Sequence, residues 1–154
     1  MIIKGRINME ELLKSLQELL AIESVARRDQ EKPFGNGVAQ ALDYTFSLCQ
    51  RMGFHTKNAD GLYGYAEIGE GAEIIGCLGH LDVVPAGDSW HYPPYAGTID
   101  GGTYAKAMEN IIAFGPVFPG EESREHQADE YIALDNIERL RRIYAQAFQN
   151  LLAL

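Results

Sequence analysis

The residues best suited to chemistry stand in one short run, Gly79-His80-Leu81-Asp82. A histidine offers a ring nitrogen to a metal, and a nearby carboxylate fixes the ring and raises its basicity. On an extended backbone, residues two apart face the same side, so His80 and Asp82 can act together. The run follows residues 73–78 (EIIGCL), which read as a buried strand because the apolar stretch is too short for a helix. Ligands of open α/β sheets bind just beyond the carboxyl ends of such strands. A lone His-x-Asp can equally be a hydrogen-bonded structural histidine, and the pair by itself leaves both readings open.

The surrounding pattern supplies the elements that would position this pair. Asn8 followed by Glu11 is a capping-box pattern, and Leu12, Leu13, Leu16, Leu19 and Leu20 recur at helical spacing. A helix is predicted over residues 9–22, then a polar loop over 24–36. A second helix carries Val38, Ala41, Leu42, Thr45, Phe46 and Cys49 on one face, with Gly53 placed to end it. Residues 54–57 and 62–68 flank Asp60-Gly61, which is a hairpin signal. Residues 85–102 lack period and read as a long loop, residues 111–114 as a short strand, and residues 115–130 as a polar loop holding His126. Asp135 with Glu138 repeats the capping-box spacing ahead of Ile137, Leu140, Ile143, Tyr144, Ala147, Phe148 and Leu151, an amphipathic final helix. Helices, then strands, then a helix indicate an α/β or α+β sandwich; with the resemblance given below, the expectation is α/β, a small mixed sheet with packed helices.

Composition excludes several partners. The net charge of -9 argues against nucleic acid and against anionic membranes, both of which select basic surfaces. No apolar run reaches the about 20 residues that span a bilayer, and the first residues lack a signal-peptide core. Cys49 and Cys77 lie in apolar stretches without metal or redox spacing, and read as buried thiols in a reducing, cytoplasmic setting. His91, in the loop, reads as a surface residue and His55 as a structural one.

Residues 79–102 (GHLDVVPAGDSWHYPPYAGTIDGG) resemble the metal-binding segment of the zinc aminoacylase, carboxypeptidase and dipeptidase family. The fit is best to bacterial Xaa-His (carnosinase-type) dipeptidases. Residues 79–85 match its His-x-Asp motif, and Trp90, Pro93-Pro94-Tyr95 and Gly97 match its Trp…Pro-aromatic…Gly continuation. Residues 26–42 (ARRDQEKPFGNGVAQAL) resemble the start of these dipeptidases. Residues 101–137 resemble the opposite end of the family, with His126 at the position of its last metal ligand.

In the family these two segments are not adjacent. A stretch with the aspartate that bridges two metals, a Glu-Glu pair holding the general base and a metal ligand, a further carboxylate ligand and a lid domain lie between them. This chain lacks them, and Gly101-Gly102 fits both segments and marks the junction. The resemblance thus implies one shortened catalytic domain over 1–154, with 1–102 from the N-terminal and 103–154 from the C-terminal part of the parent fold, and no lid domain. It implies a parent hydrolase for dipeptides using two zinc ions, with His80 and His126 as metal ligands and Asp82 orienting His80. Lys106 stands where the family often has arginine, and would hold a substrate carboxylate as a point charge. Glu121, Glu122 and Asp100 are substitute ligands by proximity alone, against a reading as solvated loop charges. The expectation is a protein with little or no turnover. The alternative is a non-catalytic metal-binding or structural module. Loss of neighbours beside residues 73–78 predicts a homodimer, with residues 135–151 available for exchange about Gly101-Gly102.

Overall fold

The structure, a computed structural model, describes residues 8–28, 31–91, 93–95, 117–124 and 126–153. These fall into two compact units: residues 8–28, 31–85 and 93–95 in the first, and 86–91, 117–124 and 126–153 in the second. Among the described residues, three helices and a two-stranded antiparallel sheet give a mixed α/β fold.

In the first unit, α1 (Met9–Leu20) starts at a complete capping box. Asn8 Oδ1 accepts from the Glu11 N–H at 2.8 Å, and Glu11 Oε2 accepts from the Asn8 N–H at 3.0 Å. Two orphan donors of the first turn are thereby satisfied. The polar side chain of Tyr44, on α2 (Asn36–Arg51), joins the two helices. Its hydroxyl lies 3.0 Å from the Ser15 carbonyl and 2.9 Å from Glu18 Oε2. Burial, then the Glu18 carboxylate, raises this phenol above its usual value. Gly53 follows α2 with φ 91°, a conformation open to glycine at little cost.

The hairpin forms around Asp60-Gly61, as its spacing predicts. β1 (His55–Ala59) pairs with β2 (Tyr63–Glu67), His55 opposite Glu67 and Ala59 opposite Tyr63. Asn58 Oδ1 accepts from the Gly61 N–H at 2.7 Å and braces the turn, where Asp60 and Gly61 both have positive φ. α2 crosses the hairpin closely: a Cβ on Gly64 would lie 2.2 Å from Phe46 Cζ.

Residues 73–78 depart from the expected buried strand. They have no regular secondary structure and are exposed, Ile74 to 91% and Leu78 to 66%. Cys77 is accordingly exposed rather than buried, whereas partial burial raises the thiol pKa of Cys49. A strand exists only with a neighbour that takes its N–H and C=O groups. Among the described residues, the one sheet is the β1–β2 pair, and nothing lies alongside this segment. The chain regains order at Val83, whose N–H donates to the Ser24 carbonyl at 3.1 Å in an isolated parallel bridge between Val25 and Val83.

In the second unit, α3 (Leu134–Leu151) begins at Ala133 without a side-chain cap. The predicted Asp135–Glu138 capping box does not form. Glu138 instead receives Arg141 Nε at 2.7 Å, Arg141 Nη2 at 2.8 Å and Arg142 Nε at 2.7 Å. Charge-assisted bonds one turn away outweigh a neutral bond back to the cap. Asp135 remains in the first turn, where a negative charge suits the helix dipole. The expected strand at 111–114 and the junction at Gly101-Gly102 lie outside the described residues.

α2 presses on the segment that follows α1. A Cβ on Gly37 would come within 1.9 Å of the Glu23 carbonyl oxygen. Gly37→Ala is therefore expected to destabilise the first unit by about 1–3 kcal/mol, the usual range for overpacking. Gly76, whose Cβ would meet nothing within 4 Å, serves as the control. Gly76→Ala should stay within about 0.5 kcal/mol of the parent protein in urea unfolding.

Candidate functional site

His80 and Asp82 lie together in the first unit, on the irregular stretch just before Val83. The Ser24–Val83 hydrogen bond anchors the far end of this stretch, and Ser24 is itself buried at 4% exposure. His80 Nδ1 is 2.9 Å from the Asp82 main-chain oxygen and 3.2 Å from Asp82 Oδ1. A carbonyl and an ionised carboxylate only accept, so Nδ1 carries the proton and donates. A proton on Nδ1 is the tautomer in which a histidine ligates a metal through Nε2. Both side chains are partly exposed, 33% for His80 and 48% for Asp82, so water reaches the pair.

His126 belongs to the second unit. It has φ 63°, and its main-chain N–H donates to Glu130 Oε2 at 3.2 Å. Glu130 is buried, at 9% exposure. Lys106 and Asp100 lie outside the described residues. Glu121 and Glu122 are not gathered at a metal centre. Glu121 accepts from the Phe118 N–H at 2.9 Å and from Asn136 Nδ2 at 2.9 Å to each oxygen. The Phe118 N–H, then Asn136, lower its pKa from the usual value. Glu122 pairs with Arg124, Nη2 to Oε2 at 3.0 Å.

Sequence spacing did not reveal a second histidine–carboxylate pair, within the second unit. Asp129 accepts from the His91 N–H at 2.9 Å and from His91 Nδ1 at 2.5 Å. The partners are 38 residues apart, so no local pattern signals them. The His91 side chain is 84% exposed, in keeping with its reading as a surface residue. The pair ties the Trp90 loop to the turn at 126–129, and Trp90 Nε1 donates to the Ala86 carbonyl.

A catalytic zinc takes three protein ligands and a water. Among the described residues, no group of three His, Cys, Asp or Glu side chains comes together. His80 with Asp82 therefore does not complete a zinc site from the described residues. A cavity of about 320 Å³ in the first unit is lined by Pro33, Phe34, Val38, Leu42 and Asp60 among others, and by neither His80 nor Asp82.

No protein-family model matches the chain. The chain is 45% identical over 101 residues to the putative dipeptidase YtjP of Bacillus subtilis, which covers 63% of this chain and 22% of that protein. It is 45% identical over 87 residues to a putative dipeptidase of Staphylococcus saprophyticus, and 43% identical over 88 residues to one of Staphylococcus haemolyticus. These matches cover 54% and 55% of this chain and 19% of each relative. The chain thus spans about a fifth of the length of the curated relatives it matches. Among the described residues, no helix is long and apolar enough to cross a membrane.

The arginine pair on α3 makes the second unit sensitive to acid. Hydrogen bonds from Arg141 and then Arg142 hold the Glu138 carboxyl at about 2, below its ordinary 4.5. A depressed folded-state value stabilises fully above pH 4.5, and that contribution is lost as the pH falls toward 2. The pair is partly exposed and screened by salt, so the effect is modest. Helicity followed by circular dichroism at low salt should fall through this window, and fall less steeply in Glu138→Gln.

Proposed function

We propose that this chain is a shortened dipeptidase-type protein that retains a metal-binding half-site at His80 and Asp82 and does not hydrolyse dipeptides by itself. The similarity to named dipeptidases at 43–45% identity is the observation that carries the reading. The Nδ1–H donation of His80 to Asp82 supports it, because that bond orients the ring as a ligand. The parent reaction is hydrolysis of an Xaa-His type dipeptide with zinc, and the chain would act in the cytoplasm. In the parent reaction His80 and His126 would ligate one metal each, and Lys106 would attract a substrate carboxylate.

The absence of turnover follows from the inventory. Two-metal hydrolysis requires a bridging carboxylate and a base for the attacking water. The run from Asp100 to Lys106, Asp-Gly-Gly-Thr-Tyr-Ala-Lys, contains no such Asp-Asp stretch, and no lid segment intervenes. Catalytic groups that act as a unit are grossly non-additive, so loss of several removes the rate almost entirely. A non-catalytic interaction role is favoured as the second reading by the exposed apolar run at residues 73–78.

An assay with Xaa-His dipeptides, supplemented with zinc or manganese, should release no free histidine above background. Release that stops in His80→Ala would overturn the proposal of inactivity. Zinc titration by calorimetry should give binding several kcal/mol weaker than the roughly 10–16 kcal/mol of a closed structural site. A tight one-to-one site lost in both His80→Ala and His126→Ala would show a complete metal centre instead.

A further inference from the structure

Three segments of the first unit close around one cavity: the loop at 31–35, the first turns of α2 and the hairpin turn at 58–61. Main-chain bonds set its walls. The Gly35 N–H donates to the Lys32 carbonyl at 3.0 Å, and the Arg27 N–H to the Phe34 carbonyl at 2.9 Å. Asn58 Oδ1 holds the Gly61 N–H, and a Cβ on Gly61 would lie 3.4 Å from Pro33 Cδ, so the loop rests on the turn. The volume, about 320 Å³, stands at the small end of ligand pockets, which span roughly 300–1,000 Å³.

The lining joins two kinds of surface. Pro33, Phe34, Val38 and Leu42 supply apolar wall, and Phe34 keeps 41% of its surface open to solvent. Val38 and Leu42 stand four residues apart and so share a face of α2. Asp43 from α2 and Asp60 from the hairpin turn add carboxylates from two different elements. Neither side chain forms a hydrogen bond or ion pair with a described residue. Glu31 and Lys32, also in the lining, cancel in charge, so the excess is the two aspartates. Carboxylates and an aromatic face both attract an ammonium, and the carboxylates repel an anion. We propose that this cavity binds a small organic cation, an amine with a short aromatic body that packs on Phe34 and Leu42 while Asp43 and Asp60 hold the ammonium. Neither His80 nor Asp82 lines the cavity, so this site is separate from the proposed metal half-site.

The test titrates the full chain at neutral pH with 2-phenylethylamine and follows the amide signals by NMR. A small site of this kind gives an expected dissociation constant on the order of 1 mM, with shifts centred on residues 31–43 and 58–61. Two relatives with the same body, 2-phenylethanol and 3-phenylpropionate, should each bind about tenfold more weakly. Asp43→Asn combined with Asp60→Asn should weaken the amine about tenfold and leave the alcohol unchanged. Asparagine tolerates the left-handed φ of 54° at position 60, so the turn is kept. Asp43→Asn alone, at an exposed helix position, should weaken the amine about threefold and serves if the double variant does not fold. Equal binding of the alcohol overturns the proposal, because the cleft would then be apolar without charge selection. Preference for 3-phenylpropionate overturns it in favour of an anion at Lys32 and the start of α2. Absence of shifts at about 10 mM amine, or shifts that survive the substitutions, overturns it as well. These readouts do not depend on any hydrolytic activity.

Discussion

The close approach of α2 to the main chain at Glu23 governs the geometry of the first unit. Position 37 has no space for a Cβ, so only glycine lets the first turn of α2 lie against residues 23 and 24. That contact holds the Ser24 carbonyl where the Val83 N–H reaches it. The bridge in turn anchors the chain one residue after Asp82, and Asp82 meets the ring of His80. A backbone approach thus sets the position of the histidine–carboxylate pair, with no contribution from a continuous sheet. Because the bridge is isolated, the site depends on local packing at one glycine rather than on a ladder that shares the load.

The apolar core is thin for a chain of this length. Val25 and Ala41 are the buried apolar residues among those described, and no large side chain is fully buried. The helices and hairpin meet at small or polar points, Gly37, Gly64 and Tyr44, while β2 keeps every residue exposed. Hydrophobic stabilisation scales with area withdrawn from water, so this unit has little to draw on. The pattern is that of a partial domain: elements with correct local chemistry whose apolar sides lack the layer they would cover.

The second unit relies on polar contacts. Glu121 collects the Phe118 N–H and the buried Asn136 side chain, and Arg139 lies 3.7 Å over the Phe118 ring while donating to Asn136 Oδ1. Around this cluster, the carboxylates of Glu121 and Glu122 have structural partners. Their proximity in sequence to His126 therefore translates into loop and helix anchoring. Asp129 likewise spends both oxygens on His91.

Local chemistry determined by the sequence alone includes the capping box at Asn8 and Glu11, the helical leucines, the Asp60-Gly61 turn and the His80-x-Asp82 pair. Each of these uses partners within a few residues, so spacing suffices to read them. Tertiary structure decided what needs distant partners. Residues 73–78 have strand composition but no strand, because pairing is a property of two segments. The Asp135–Glu138 spacing matches a capping box, yet two arginines one turn on take the Glu138 carboxylate. The His91–Asp129 pair spans 38 residues and has no signature in the chain. Whether a carboxylate or histidine becomes a ligand, a cap or an anchor depends on which donors the fold brings to it, and a sequence pattern fixes only the nearest of those.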